Sequence, residues 1–389
     1  MTFGAPSLRC RALALGAALL VSAGLAGCSS RDSGSRAEPE STTTTIAGVL
    51  TATKVEPDTV PTGATRLNFE VGPLRVGPGQ NSIDFTRRIP QPDRDGFIVG
   101  ISTNLRRADG SVPPVDVIHL HHGVWLDFSA PDATSPGLPE RFFAAGEEKT
   151  RMVLPPGFGY RYRTNAKWVL NWMLHNNLSE PEDIWVTYSV DLMPADAPEA
   201  QGLTPVTPIW MDVQNGSVYP VFDVIKGTGR DGRYTYPDDA DHPYGDGPAK
   251  NEWTSPYDGT IVATAGHLHP GGLYNDLWLR RPGARVTDGS AKPGAPDTAR
   301  LFTSVATYFE PGGPVSWDLA MSKTPLDWRV AVRKGDVLST SVTYDSERAS
   351  WYESMGIMIT YMAVGDRRGA DPFTTDTDVR GVLTHGHLA

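Results

Sequence analysis

The stretch VDVIHLHHGVWL, residues 115–126, decides how the chain reads. It is rich in β-branched and aromatic residues and too short for a core helix, as a buried strand should be. It also holds three of the nine histidines of the chain. Similar short runs recur at GFIVGISTNL (96–105), DIWVTYSVDLM (183–193), GTIVATAGHLH (259–269), NDLWLRR (275–281) and VLSTSVTYDS (337–346). Turn signals such as PPGFG, DGRY and RKGD separate them, and no long segment carries a helical stripe. With 40 Gly and 33 Pro punctuating many strands, the expected fold is all-β. Its natural form is two tandem antiparallel β-sandwich (jelly-roll) domains, since roughly 340 residues exceed what one core serves.

The N-terminus predicts an envelope address. Arg9 and Arg11 precede the apolar run ALALGAALLVSAGLAG, and small residues then lead to Cys28, as in a secretory signal over 1–27. Leu25-Ala26-Gly27-Cys28 resembles a bacterial lipobox, which implies acylation of Cys28 and an extracytoplasmic, lipid-anchored protein. The alternative is an ordinary signal with an incidental cysteine. Residues 28–45, rich in Ser and Thr, read as a disordered tether. A boundary near ADAPEAQGLTPVTP then divides 46–205 from 206–365, and 366–389 reads as a tail. Once Cys10 leaves and Cys28 is lipidated, no thiol remains for disulfides or metal. Removing 1–27 leaves 33 basic against 45 acidic side chains, a net charge of −12, which argues against a nucleic-acid partner.

Any metal must therefore rely on His, Met, carboxylate or backbone donors. In GHLHPGG (266–272), an extended chain points His267 and His269 to one side, where they can share an ion. By the same rule His119 and His121 share a face, whereas His121 and His122 converge only if the strand is twisted or bulged. His175 ends the apolar WVLNWMLH, and taken singly it reads as a satisfied or surface histidine. Met355, Met358 and Met362 lie in WYESMGIMITYM, where methionines ordinarily fill gaps in a core. A thioether beside two imidazoles is also a donor set that suits copper(I).

The order His-His, lone His, His-x-His, Met over residues 85–365 resembles the copper type II, ascorbate-dependent monooxygenases, the family of the peptidylglycine α-hydroxylating and dopamine β-monooxygenases. The resemblance implies two copper ions, one held by His121, His122 and His175 and the other by His267, His269 and Met355. It implies hydroxylation of a C–H bond of a small-molecule substrate, with ascorbate or another small reductant supplying electrons. His119 is then either an orienting partner or an alternative ligand. The chain departs from the peptide-hydroxylating members at Ala265, where they carry an arginine, and at Ile357 and Ile359, where they carry polar residues. Peptide amidation is not expected, and the pocket should be apolar. A looser resemblance joins the chain to a stress-induced plant nodulin-like family.

Asp276 and Glu353 are read either as groups that orient ligands or as solvated charges, and Arg280 and Arg281 as a surface pair. His385 and His387 are expected to lie in a loose tail. No nucleophile elbow or phosphate loop is convincing. Two functions follow: a surface-anchored copper monooxygenase, or a non-catalytic copper- or zinc-binding lipoprotein for storage, delivery or adhesion.

Overall fold

Ile118–Pro131, the strand carrying HLHH, pairs antiparallel with Trp168–Asn176 on one side and Pro139–Gly146 on the other. Asp84–Arg87 completes this four-stranded sheet. The computed structural model describes residues 49–217 and 219–388. The proposed signal, Cys28 and the tether lie outside them.

Facing that sheet is a second one, in which Thr65–Val76, Glu182–Pro194 and Gly96–Arg107 pair in that order. Its far edge is built from Arg151–Val153 and Phe158–Tyr162. Trp125, fully buried, packs on Phe143 at 5.2 Å and on Tyr188 of the opposite sheet at 5.5 Å. Pro139–Gly146 loses the usual alternation because it is buried on both faces: Phe143 joins Trp125 while Phe142 stacks on Tyr160.

Thr204–Asp212 crosses the predicted boundary. Its first residues pair in parallel with Phe158–Tyr162, and Thr207–Asp212 pair antiparallel with Ile357–Val364. From there the sheet continues into Gly259–His267. Its partner layer is formed by Ala295–Tyr308, Gly272–Arg280 and Val337–Asp345. Met358 and Met362 fill the core of this half with Phe302 and Trp328. Met355 instead joins the core that contains Leu120, Trp125 and Trp210. The described residues belong to one compact unit, and they are all-β apart from two short 3-10 turns.

Two boundaries differ from expectation. Gly259–His267 ends before His269, because Pro270 cannot continue the ladder and the His269 N–H turns to the Tyr344 hydroxyl at 3.1 Å. The C-terminus is docked: Val382–Leu383 pairs with Leu319–Lys323, and His387 donates to the buried Asp318 at 2.6 Å. Arg281 is likewise bridged to Asp336 and Asp371 at 2.8 and 2.9 Å.

A buried polar seam ties the two halves. Tyr361 donates its hydroxyl to the Phe142 carbonyl at 2.7 Å, and nearby Tyr160 donates to Glu140 at 2.5 Å. Tyr361→Phe would orphan a buried carbonyl, so a loss of about 1–3 kcal/mol is expected in denaturant unfolding, and no loss would show the bond to be dispensable. Burial, with Asp127 and Asp132 nearby, raises the Glu140 carboxyl to about 7. The folded chain thus keeps a proton that the unfolded chain sheds near pH 4.3, so this contribution is present in acid and lost as pH rises through 7. Glu140→Gln should gain on wild type by on the order of 3 kcal/mol between pH 4.5 and 8, and unfolding curves of equal spacing at both pH values would contradict this.

Candidate metal centre

The ladder register slips between Leu120 and His122, which makes His121 the extra residue of a bulge. Side chains normally alternate faces along a strand, but the bulge lets these adjacent imidazoles converge, with ring centroids 5.8 Å apart. Across the seam, His267 at its strand end and His269 just beyond stand 5.1 Å apart. The two motifs meet: the His121 and His269 rings are 3.7 Å apart, and His121 and His175 are 4.3 Å apart.

Two ligand groups result, and they share a residue. One nitrogen each from His121, His122 and His269 lie within 4.8 Å of one another, as do ligand atoms of Glu147, His267 and His269. All five are buried. The sequence division into a first-motif set and a second-motif set is therefore crossed by His269. His122, His267 and Met355 line one cavity together. A third group, Glu310, Asp318 and His387, sits towards the surface around the docked C-terminus.

Neighbouring atoms fix which nitrogen His267 and His269 present. His267 Nδ1 donates to Glu148 Oε2 at 2.9 Å, and His269 Nδ1 donates to the Glu353 carbonyl at 2.8 Å. Each Nε2 is thereby left bare, buried and without a partner, as are Nδ1 of His121 and of His122. In His267 and His269 this is the arrangement in which a protein presents imidazole to a metal, with one nitrogen held and the other free.

Glu353 acts on both sides of the cluster. Its backbone lies in the left-handed region, at φ 55°, which turns its carbonyl to His269. Its side chain accepts from Asn81 Nδ2 at 2.9 Å, so Asn81 Oδ1 faces His175 Nε2 at 3.0 Å. His175 Nδ1 is then bare. It faces His119 Nε2 at 3.1 Å, itself bare because His119 Nδ1 donates to the Val115 carbonyl at 2.8 Å. A cation beside these opposed lone pairs would relieve them. Burial pushes His119 down to about 3 and His175 down to about 4, which disfavours a proton in that role. His122 is also pushed down to about 3 by burial and then by His267. His119, His122 and His175 are thus uncharged donors.

The fit to a transition metal is good: bare imidazole nitrogens, a carboxylate and a nearby thioether, with no thiol needed. Glu147 and Glu148 were not singled out in the sequence. Their signal is the GEE of FFAAGEEKT, a pair of acids at the end of an apolar strand. Gly146 makes their approach feasible, since a β-carbon there would stand 2.5 Å from His267 Cε1 and 2.9 Å from Nδ1. Asp276 bonds Thr303 at 2.7 Å, away from the histidines. Ala265 and Ile359 lie in the seam core, and Ile357 also reaches the cavity.

That cavity, about 150 Å³, runs from the cluster to a rim that includes the exposed Phe85 and Phe128. Val124, Leu126, Leu138, Ala144, Trp210 and Ile357 form much of its wall. Arg141 also lines it, but bonds Asp132 twice at 2.8 Å and lies over Trp210.

No family profile and no curated protein matches the chain. Among solved structures it is similar to recombinant peptide:N-glycanase F, at 8% identity and a TM-score of 0.33, covering 81% of this chain and 97% of that one. The infectious bursal disease virus VP2 subviral particle is similar at 10% identity and a TM-score of 0.21, covering 81% and 75%. A tandem CBM22 domain from Paenibacillus barcinonensis is similar at 10% identity and a TM-score of 0.16, covering 83% and 100%.

Gly146→Ala should push His267 out of line and, because its β-carbon would also stand 2.6 Å from the His121 carbonyl, disturb the neighbouring bulge. Chelator competition is expected to give metal affinity reduced by roughly 10- to 100-fold, the usual cost of disturbing a ligand's support. Unchanged affinity would show that His267 is not held by this approach.

Proposed function

We propose that the protein is a copper-dependent monooxygenase of the cell envelope, lipid-anchored through Cys28, that hydroxylates a C–H bond of a small apolar substrate. The observation that carries this reading is that His122, His267 and Met355 line one mostly apolar cavity, beside further buried imidazoles with bare nitrogens. Two copper ions are proposed, one at His121, His122 and His175 and one at His267, His269 and Met355, in adjoining sets.

Copper bound there would supply one-electron redox chemistry, with dioxygen as oxidant. The balance is one substrate C–H, one dioxygen, two electrons and two protons in, and one alcohol and one water out. Ascorbate or another small reductant supplies the electrons. The chain's own part is positioning. Glu148 and the Glu353 carbonyl hold the His267 and His269 tautomers, and Asn81 holds that of His175. The apolar wall excludes water and retains a substrate by burial, about 25 cal/mol per Å² of apolar surface. Arg141 is occupied by Asp132, so it offers no free anchor for a carboxylate substrate.

Elemental analysis after copper(I) loading should find two ions per chain, falling to one in His267→Ala/His269→Ala. Oxygen uptake should depend on reductant. Met355→Ala is expected to abolish that uptake while the His121, His122 and His175 ion stays bound, and full turnover in this variant would remove Met355 from the site. Metal retained with no oxygen uptake under any reductant would point instead to a copper- or zinc-binding lipoprotein.

A further inference from the structure

Glu147 is the least satisfied side chain of the centre. It lies in the turn after Pro139–Gly146, is 1% exposed, and neither carboxylate oxygen has a partner. Its neighbour Glu148 is the opposite case. That carboxylate accepts from the Gly146 N–H at 2.9 Å, the Thr150 hydroxyl at 2.7 Å and His267 Nδ1 at 2.9 Å. No Lys or Arg forms an ion pair with Glu147 among the described residues. A carboxyl group buried away from water without a partner is stabilised either by a proton or by a cation beside it.

The surroundings specify that cation. A Glu147 oxygen and one nitrogen each of His267 and His269 lie within 4.8 Å of one another. Ligands to zinc or a similar ion stand about 2.0–2.2 Å from it, so a modest inward movement of these atoms completes a shared site. Both histidines already present a bare Nε2, and Glu148 and Glu353 hold their far nitrogens. We propose that Glu147 is a direct ligand, with His267 and His269, of a divalent cation. Two imidazoles and a carboxylate form a harder donor set than imidazole with thioether, and they favour zinc(II), iron(II) or copper(II) over copper(I). The site also joins the two halves, since Glu147 comes from the first and the histidines from the second. This inference rests on the metal reading given under Proposed function and adds a ligand that the sequence motifs do not contain.

The test is the zinc(II) affinity of the full chain, measured by competition with a chromophoric chelator, beside copper(I) affinity measured the same way. Glu147→Gln keeps the volume and removes the charge. It should weaken zinc(II) by roughly 100-fold or more, at or beyond the upper end of what supporting groups cost, and change copper(I) by less than about threefold. His269→Ala should weaken both. Zinc should raise the Tm of wild type and not of Glu147→Gln. Glu147→Asp, which retains the charge on a shorter arm, should fall between the two and serves if the glutamine variant does not fold. Zinc affinity within threefold of wild type in Glu147→Gln, with copper(I) still bound, would overturn the role of Glu147 alone. A wild-type chain that binds neither ion would overturn the metal reading itself and this ligand with it.

Discussion

The centre is governed by one constraint: imidazole nitrogens and a carboxyl group are held away from water with no partner among the described residues. A buried polar atom left unpaired costs about 1–3 kcal/mol, and a whole domain is stable by only about 5–15 kcal/mol. Bare nitrogens on His121, His122, His267 and His269, with both Glu147 oxygens, together represent a cost on that scale. Such an arrangement persists in a packed seam because it has a purpose, and the donor types fit a metal ion. The neighbouring bonds agree, because Glu148, the Glu353 carbonyl and Asn81 each take one nitrogen of a histidine and leave the other.

Local backbone devices bring these donors together. A strand alternates its side chains, so adjacent histidines face opposite sides until the bulge at His121 breaks the register. The second pair uses a chain end: proline stops the strand after His267, and His269 turns with a hydrogen bond to Tyr344. Glu353 is held in the left-handed region, a conformation that costs energy for a side chain larger than glycine. That strain directs its carbonyl to one histidine while its carboxylate steadies another through Asn81.

Much of this was legible in the sequence, and what was not has identifiable physical reasons. The all-β fold followed from short β-branched runs, and the buried strands came out within a few residues of their expected ranges. The need for a bulge at His121 and His122 was visible too, because the period of two forbids their convergence otherwise. Sequence spacing could not show that His269 would stand against His121, since that contact spans the seam between halves. Glu147 was hidden for a related reason. An acidic pair beside glycine reads as an exposed turn, and only tertiary packing buries it. The docking of His387 on Asp318 was missed in the same way, because a Gly-containing terminus carries no local sign of the sheet edge that receives it.

The cavity sharpens what the centre can be asked to do. Its wall is mostly apolar, with Asn171, Asp212 and Ser217 among the lining, its arginine is committed to Asp132 and Trp210, and His122, His267 and Met355 line it together. An anionic substrate entering it would lose hydration and gain no free counter-charge, at a cost of several kcal/mol. An apolar molecule would gain from burial along the whole wall. Glu147 lies against His267 and His269 rather than among the residues that line the cavity. Its charge can therefore balance a cation without making the substrate end polar, and the thioether of Met355 remains on the side that a substrate meets.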